Sequence, residues 1–120
     1  IKKYIMKIIN PIVIRNIKGN ILKYKLKHYF FKKKITDFYF SNIKKNTFKN
    51  WKIKKKDTVV IVTEGNVIFE LEGKIKRTKK NINSRKKQII IIPKNTKFRF
   101  GSKKNNATLL SFLNYKYDNK

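Results

Sequence analysis

Cysteine is absent from this chain of 120 residues, and histidine occurs once, at His28. Without thiols, disulfides, thiolate catalysis and cysteine-bound zinc are excluded, and an unstapled domain suits the cytosol. The carboxylates Asp37, Asp57, Glu64, Glu70, Glu72 and Asp118 are scattered rather than clustered, so no metal site is expected. There is no glycine-rich phosphate loop and no Ser/His/Asp set. Long apolar runs are also missing. The opening IKKYIMKIINPIVIRNI is broken by Lys7, Asn10, Pro11 and Arg15, far short of the ~20 residues a spanning helix needs. No membrane partner is expected, and the location read from this is cytoplasm. No window sustains a 3.6-residue apolar period, so helices are not expected.

What is present is lysine. Thirty-three basic residues against six acidic ones give a net charge of +27. Arginine appears only at Arg15, Arg77, Arg85 and Arg99. Arginine is the side chain that base-edge and bidentate phosphate recognition prefers. The charge therefore has two readings: a codon-driven background of lysine, isoleucine and asparagine over a solvated surface, or a polyanion footprint. Under either, phosphate-bearing ligands are attracted and binding is salt-sensitive.

A hydrophobic content of 40%, with 13% aromatic, is enough for one folded domain spanning residues 1–120. The chain opens on Ile rather than Met, so residues 1–10 read as an extension, with Met6 a candidate start and MKIINPIVI a first strand. Turn chemistry then recurs at short intervals, at Asn10-Pro11, Lys18-Gly19-Asn20, Glu64-Gly65-Asn66 and Pro93 to Asn95. Between the turns lie strand-like segments: 12–17, 21–29, 37–43, 48–53, 58–63, 67–71, 74–78, 88–92, 97–100 and 108–115. Within them, Phe38, Phe40 and Asn42 alternate with Tyr39, Ser41 and Ile43, and Asn50, Lys52 and Lys54 alternate with Lys49, Trp51 and Ile53. TVVIVTEGNVIFEL reads as a β-hairpin across Gly65, and KRTKKNINSRKK, residues 76–87, as a mobile basic loop. Many short strands without helices predict an all-β fold, a sandwich or a closed jelly roll of antiparallel strands.

The run YFSNIKKNTFKNWKIKKKDT, followed by an apolar strand, a glycine turn and VIFEL, resembles the core of small cupin-type sugar-nucleotide enzymes. These are the dTDP-4-dehydrorhamnose 3,5-epimerase-like and 3,4-ketoisomerase-like proteins of surface-polysaccharide (lipopolysaccharide, O-antigen) synthesis. The residues that carry the resemblance are Tyr39-Phe40-Ser41, Asn50 to Lys55, Thr58, Ile92 to Asn95, Phe100, Leu109 to Leu113 and Tyr115 to Asp118. It covers about residues 37 to 118, and the order of motifs is its strength. It implies a cupin-type jelly-roll barrel, a nucleotide-sugar ligand and a homodimer, with no cofactor. Lys54 stands where the family pattern has a histidine, Asn50 replaces a glycine, and Lys97-Phe98 replaces a tryptophan-containing loop, so the fold is better supported than the activity.

Shifting a proton next to a sugar ketone needs a base and an acid with suitable pKa values. On the resemblance, Tyr39 is the candidate acid and Lys54 takes the histidine's place. Lys52, Trp51, Ser41 and Phe100 are the candidate substrate contacts. Lys52 and Lys54 share one strand face, where two close ammoniums depress each other's pKa or together hold a diphosphate. Each has a plainer reading: Tyr39 a cross-strand aromatic, the lysines a solvated face, and Trp51 a side chain packed beneath the sheet opposite Lys52. His28 lies outside the matched motif and reads as an ordinary polar residue. Lys97-Phe98-Arg99-Phe100 and Lys23-Tyr24-Lys25 interleave cations with aromatics. This supports an alternative from another class, a basic β-barrel that binds nucleic acid without catalysis. A third reading keeps the chain as a non-catalytic structural subunit.

Overall fold

The computed structural model describes residues 6–73 and 75–114. Twelve strands run through them: β1 (Lys7–Ile9), β2 (Ile12–Asn16), β3 (Gly19–Lys23), β4 (Asp37–Ile43), β5 (Thr47–Phe48), β6 (Lys52–Ile53), β7 (Thr58–Glu64), β8 (Asn66–Glu72), β9 (Arg77–Asn83), β10 (Ile89–Ile92), β11 (Lys97–Ser102) and β12 (Ala107–Leu113). Two short 3-10 turns, Tyr29–Lys32 and Ser84–Lys86, are the only helical segments among the described residues. None is long and apolar enough to cross a membrane.

Alternation decides how these strands assemble. One sheet has the order β1-β10-β7-β12-β4; the second has the order β5-β11-β8-β9, with β6 also pairing to β11. All pairings are antiparallel. Ile43, Val60, Val62, Ile90, Ile92 and Leu109 of the first sheet face Val67, Phe69, Leu71, Ile82 and Phe98 of the second. None of these is more than 2% exposed, and each such side chain contributes about 1.5–3 kcal/mol by leaving water. The result is the two-sheet jelly roll expected above.

The expected hairpin across Gly65 is instead a corner. β7 and β8 lie in different sheets and share no pairing. A tight two-residue hairpin of the favoured type needs positive φ at both central residues, whereas here only Gly65 has it, at +73°. A Cβ at Gly65 would stand 2.6 Å from the Asn106 carbonyl oxygen, so the chain crosses between sheets at the one residue small enough to pass. Gly19 does close a hairpin, β2–β3, with Ile14 opposite Ile21.

The run 76–87 is not a loop. Most of it is β9, the edge of the second sheet, because β8 offers it matching partners: Val67 opposite Ile82, Glu70 opposite Lys79 and Glu72 opposite Arg77. Cross-strand pairs of opposite charge stabilise an edge that a lysine run alone would not. The expected strand 21–29 ends at Lys23. Beyond it the chain straps across the outside of the first sheet, where Phe30 is buried with Val59, Ile89 and Ile91. His28 caps the strap's 3-10 turn, its Nδ1 accepting from the Phe30 amide at 3.1 Å. Buried Asp57 accepts from the Tyr29 hydroxyl and, at 2.9 Å, from the Lys94 amide. The expected strand 108–115 ends at Leu113, and Tyr115 to Asp118 lie outside the described residues.

Phe69, fully buried and edge-on to Phe100, its cross-strand partner in the second sheet, with ring centres 5.0 Å apart, is among the largest side chains of the core that the two sheets share. Phe69→Ala is expected to lower stability by about 3–5 kcal/mol in a urea titration. A change under about 1 kcal/mol would mean the sheets do not close on this side chain.

Candidate functional site

Pairing partners share a face, so the register places each candidate residue. Tyr39 lies opposite buried Ser111 and Ser41 opposite buried Leu109, so both side chains of β4 belong to the inner face. Phe38 and Phe40 belong to the outer face and are 62% and 60% exposed. Lys52 lies opposite core Phe98, on the inner face of β6, and Lys54 follows two residues on. Phe100 is on the same inner face of β11, packed 5.3 Å from Phe98 between ring centres. Tyr39, Ser41, Lys52, Lys54 and Phe100 thus share the inward side of the two sheets.

Trp51 does not join them. It stands on the outer face, within 5.0 Å of the Arg77 guanidinium and 4.7 Å of Arg99, with the Lys97 ammonium at 5.6 Å. Lys49, which the alternation assigned to Trp51's face, stands instead opposite Phe100, its amide donating to the Phe100 carbonyl at 2.8 Å. The cause is a bulge. Phe48 pairs with Gly101, Lys49 with Phe100 and Lys52 with Phe98, so Asn50 and Trp51 together oppose Arg99. An extra residue on one strand re-aims everything after it. Lys49 was missed for that reason, since nothing in a period-two pattern marks where the period slips.

The electrostatics of the inner face follow. The Lys52 amine is pushed below its ordinary 10.5, first by partial loss of water and then by the positive charges of Lys54 and Lys49, while Tyr39 pulls it up. A depressed amine exposes a larger neutral, proton-accepting fraction near neutrality than an ordinary lysine. Two buried hydroxyls, of Thr58 and Thr96, have no hydrogen-bond partner among the described residues.

His28 is elsewhere. It lines an open cleft of about 570 Å³ on the outside of the first sheet with Lys7, Lys25, Lys27 and an isoleucine floor. Burial holds its pKa below 6.5, with Lys7 lowering it further; Asp57, whose Oδ2 is 4.0 Å away, raises it. Among the described residues, no three of His, Cys, Asp or Glu come together as a metal would require.

The fold is a two-sheet jelly roll that turns a phenol and three amines to its inward side. Comparison with known proteins agrees on the fold. No family model and no curated sequence matches the chain. Among solved structures, it is similar to the WlaRB TDP-quinovose 3,4-ketoisomerase of Campylobacter jejuni, with a TM-score of 0.75 and 22% identity over 95% of this chain and 88% of that one. The sugar 3,4-ketoisomerase QdtA of Thermoanaerobacterium thermosaccharolyticum, in complex with TDP, gives 0.73 and 17% over 94% and 82%. The dTDP-6-deoxy-D-glucose-3,5-epimerase of Legionella pneumophila, in complex with dTDP-4-keto-L-rhamnose, gives 0.69 and 17% over 94% and 68%. The chain has the cupin-type jelly-roll fold of these proteins.

If Lys54 stands beside Lys52, Lys54→Met moves the Lys52 midpoint up toward 10.5 in the ligand-free protein, as followed by NMR of the labelled amine. A Lys52 midpoint already at 10.5 and unmoved by the substitution would separate the two amines.

Proposed function

We propose that this protein binds a dTDP-4-keto-6-deoxyhexose on the inward face of its barrel and acts on it as an epimerase or isomerase of the sugar-nucleotide type. The observation that carries the reading is the sharing of one inner face by Tyr39, Lys52 and Lys54, with Lys52 close enough to feel the other two. The neighbours of the same fold are ketoisomerases and epimerases of TDP-linked sugars. In this scheme an amine at Lys54, in the motif histidine's place, takes the acidic proton from the carbon beside the ketone. The electron pair moves onto the ketone oxygen as an enolate, and the Tyr39 hydroxyl returns a proton. Lys52 and Lys49 hold the diphosphate by charge, and Ser41 and Phe100 flank the sugar. A cytoplasmic place in surface-polysaccharide synthesis goes with that substrate class.

The nucleic-acid alternative loses its stacking surface. Phe98 is 2% exposed and Phe100 packs into the core. The Trp51 ring has the guanidiniums of Arg77 and Arg99 against it. Tyr24 donates its hydroxyl to the Lys87 carbonyl at 2.5 Å. What interleaves in the sequence does not interleave on the surface.

Calorimetry with dTDP-4-keto-6-deoxyglucose is expected to show binding, and NMR in deuterated water to show exchange at the sugar C3 and C5. Tyr39→Phe and Lys54→Ala should each slow exchange by about 10²–10⁴-fold with binding retained. Loss of binding altogether in the unsubstituted protein would sink the reading. Binding without exchange would leave a sugar-nucleotide-binding relative that does no chemistry.

The same reading includes a second copy of the chain. Every residue of β2 and β3 is exposed, with Ile12 at 45%, Ile14 at 46% and Ile21 at 61%, and a lone two-stranded hairpin is marginal in water. The outer face of β4 carries exposed Phe38 and Phe40 on a strand that, among the described residues, is paired on one side only, an arrangement that proteins ordinarily cover. Light scattering is expected to give twice the mass of the chain, and Phe38→Glu with Phe40→Glu to give the mass of one chain. A single-chain mass for the unsubstituted protein would remove the dimer.

A further inference from the structure

We propose that Arg99 is a positioning residue whose clamp on the bulge at Asn50–Trp51 sets the phase that brings Lys49, Lys52 and Lys54 together on the inner face. Its guanidinium lies 4.3 Å from the centre of the Phe48 ring and 4.7 Å from that of Trp51. On its third side, Nε donates at 2.9 Å to Oε2 of Glu70. The Glu70 side chain is only 8% exposed, and that of Arg99 26%. A planar guanidinium can stack on two rings and donate to a carboxylate at once, which an ammonium cannot.

The geometry selects one register. Phe48 and Trp51 are three residues apart, so an uninterrupted strand would put them on opposite faces. One guanidinium can touch both rings only when an extra residue lies between them. β6 is two residues long and pairs with β11 at Lys97 and Phe98 alone, too short to hold its own phase against a slip. A slip of one residue would turn every following side chain over, sending Lys52 and Lys54 outward with Ile53 turned in. The clamp therefore acts through the backbone, from the face opposite the amines it places. Lys97 reinforces it, paired to Glu72 at 3.3 Å beside the same indole.

The inference rests on the nucleotide-sugar reading only for what the amines bind. Removing Arg99 alone would leave Glu70 buried and unpaired, so the test uses Arg99→Met together with Glu70→Met, which removes the pair and keeps apolar volume. In the folded double variant the Lys52 midpoint, depressed in the parent, is expected to rise toward 10.5 as the amine turns out into water and away from Lys49. Affinity for TDP, read by calorimetry, should fall roughly tenfold. Trp51→Phe, which keeps a ring against the guanidinium, should retain both parent values, whereas Trp51→Leu should lose them. If the double variant fails to fold, Trp51→Leu, with the ion pair intact, carries the same two measurements. An unchanged Lys52 midpoint in either folded variant overturns the inference. If the parent does not bind TDP, the nucleotide reading fails while the amine titration still decides the clamp.

Discussion

Closing two apolar sheet faces on each other has to outweigh the mutual repulsion of a chain with a net charge of +27. It does so because the charge and the apolar side chains are sorted by alternation. Along β12, Ala107, Leu109, Ser111 and Leu113 turn inward and are buried, while Thr108, Leu110 and Phe112 turn outward. Along β9, one residue, Ile82, reaches the core, and the lysines stay in water. Burial of the inner faces supplies the stability, and it also dictates that whatever lies on the same faces at the open end must point toward the same space. Tyr39, Ser41, Lys52 and Lys54 share the inward side because Ile43, Leu109 and Phe98 are core residues.

The few carboxylates are placed where that arrangement needs them. Glu70 and Glu72 lie on the outer face of β8, between the cations of β9 and those of β11, and each forms an ion pair with β11. Asp57 ties the outer strap to the loop before β11 through Tyr29 and the Lys94 amide, and the Tyr29 hydroxyl is raised to about 12 chiefly by its hydrogen bond to that carboxylate. An exposed ion pair contributes little by itself. Those of Glu70 and Asp57, buried and joined to aromatic rings or backbone amides, fix geometry. The Arg99 clamp is the furthest developed case: it touches the outer face, yet its effect is felt on the inner one.

The sequence read well wherever period two ran uninterrupted. Asp37–Ile43 is a strand with those bounds, and the alternation separated Tyr39 and Ser41 from Phe38 and Phe40, as the register does. It read poorly wherever a choice depended on a distant partner. A glycine between two apolar runs serves a hairpin or a corner equally, and only the Asn106 carbonyl against Gly65 decides between them. The lysine run 76–87 looks like a loop until Glu70, Glu72 and Val67 are set opposite it. The strap around Phe30 could not be told from a continued strand, because its burial comes from Val59, Ile89 and Ile91, remote in the chain.

By itself, then, the amino-acid order determined an all-β, cysteine-free, strongly basic domain and the division of β4 into two faces, since composition and local period are properties of neighbouring residues. The motif order from Tyr39 to Asp118 pointed to the cupin-type jelly roll through its resemblance to a known family, not through composition or period. Tertiary structure alone decided that Lys49 joins Lys52 and Lys54, while Trp51 keeps the opposite face that alternation gave it. That outcome turns on a single unpaired residue, and an unpaired residue is defined only by the strand across from it.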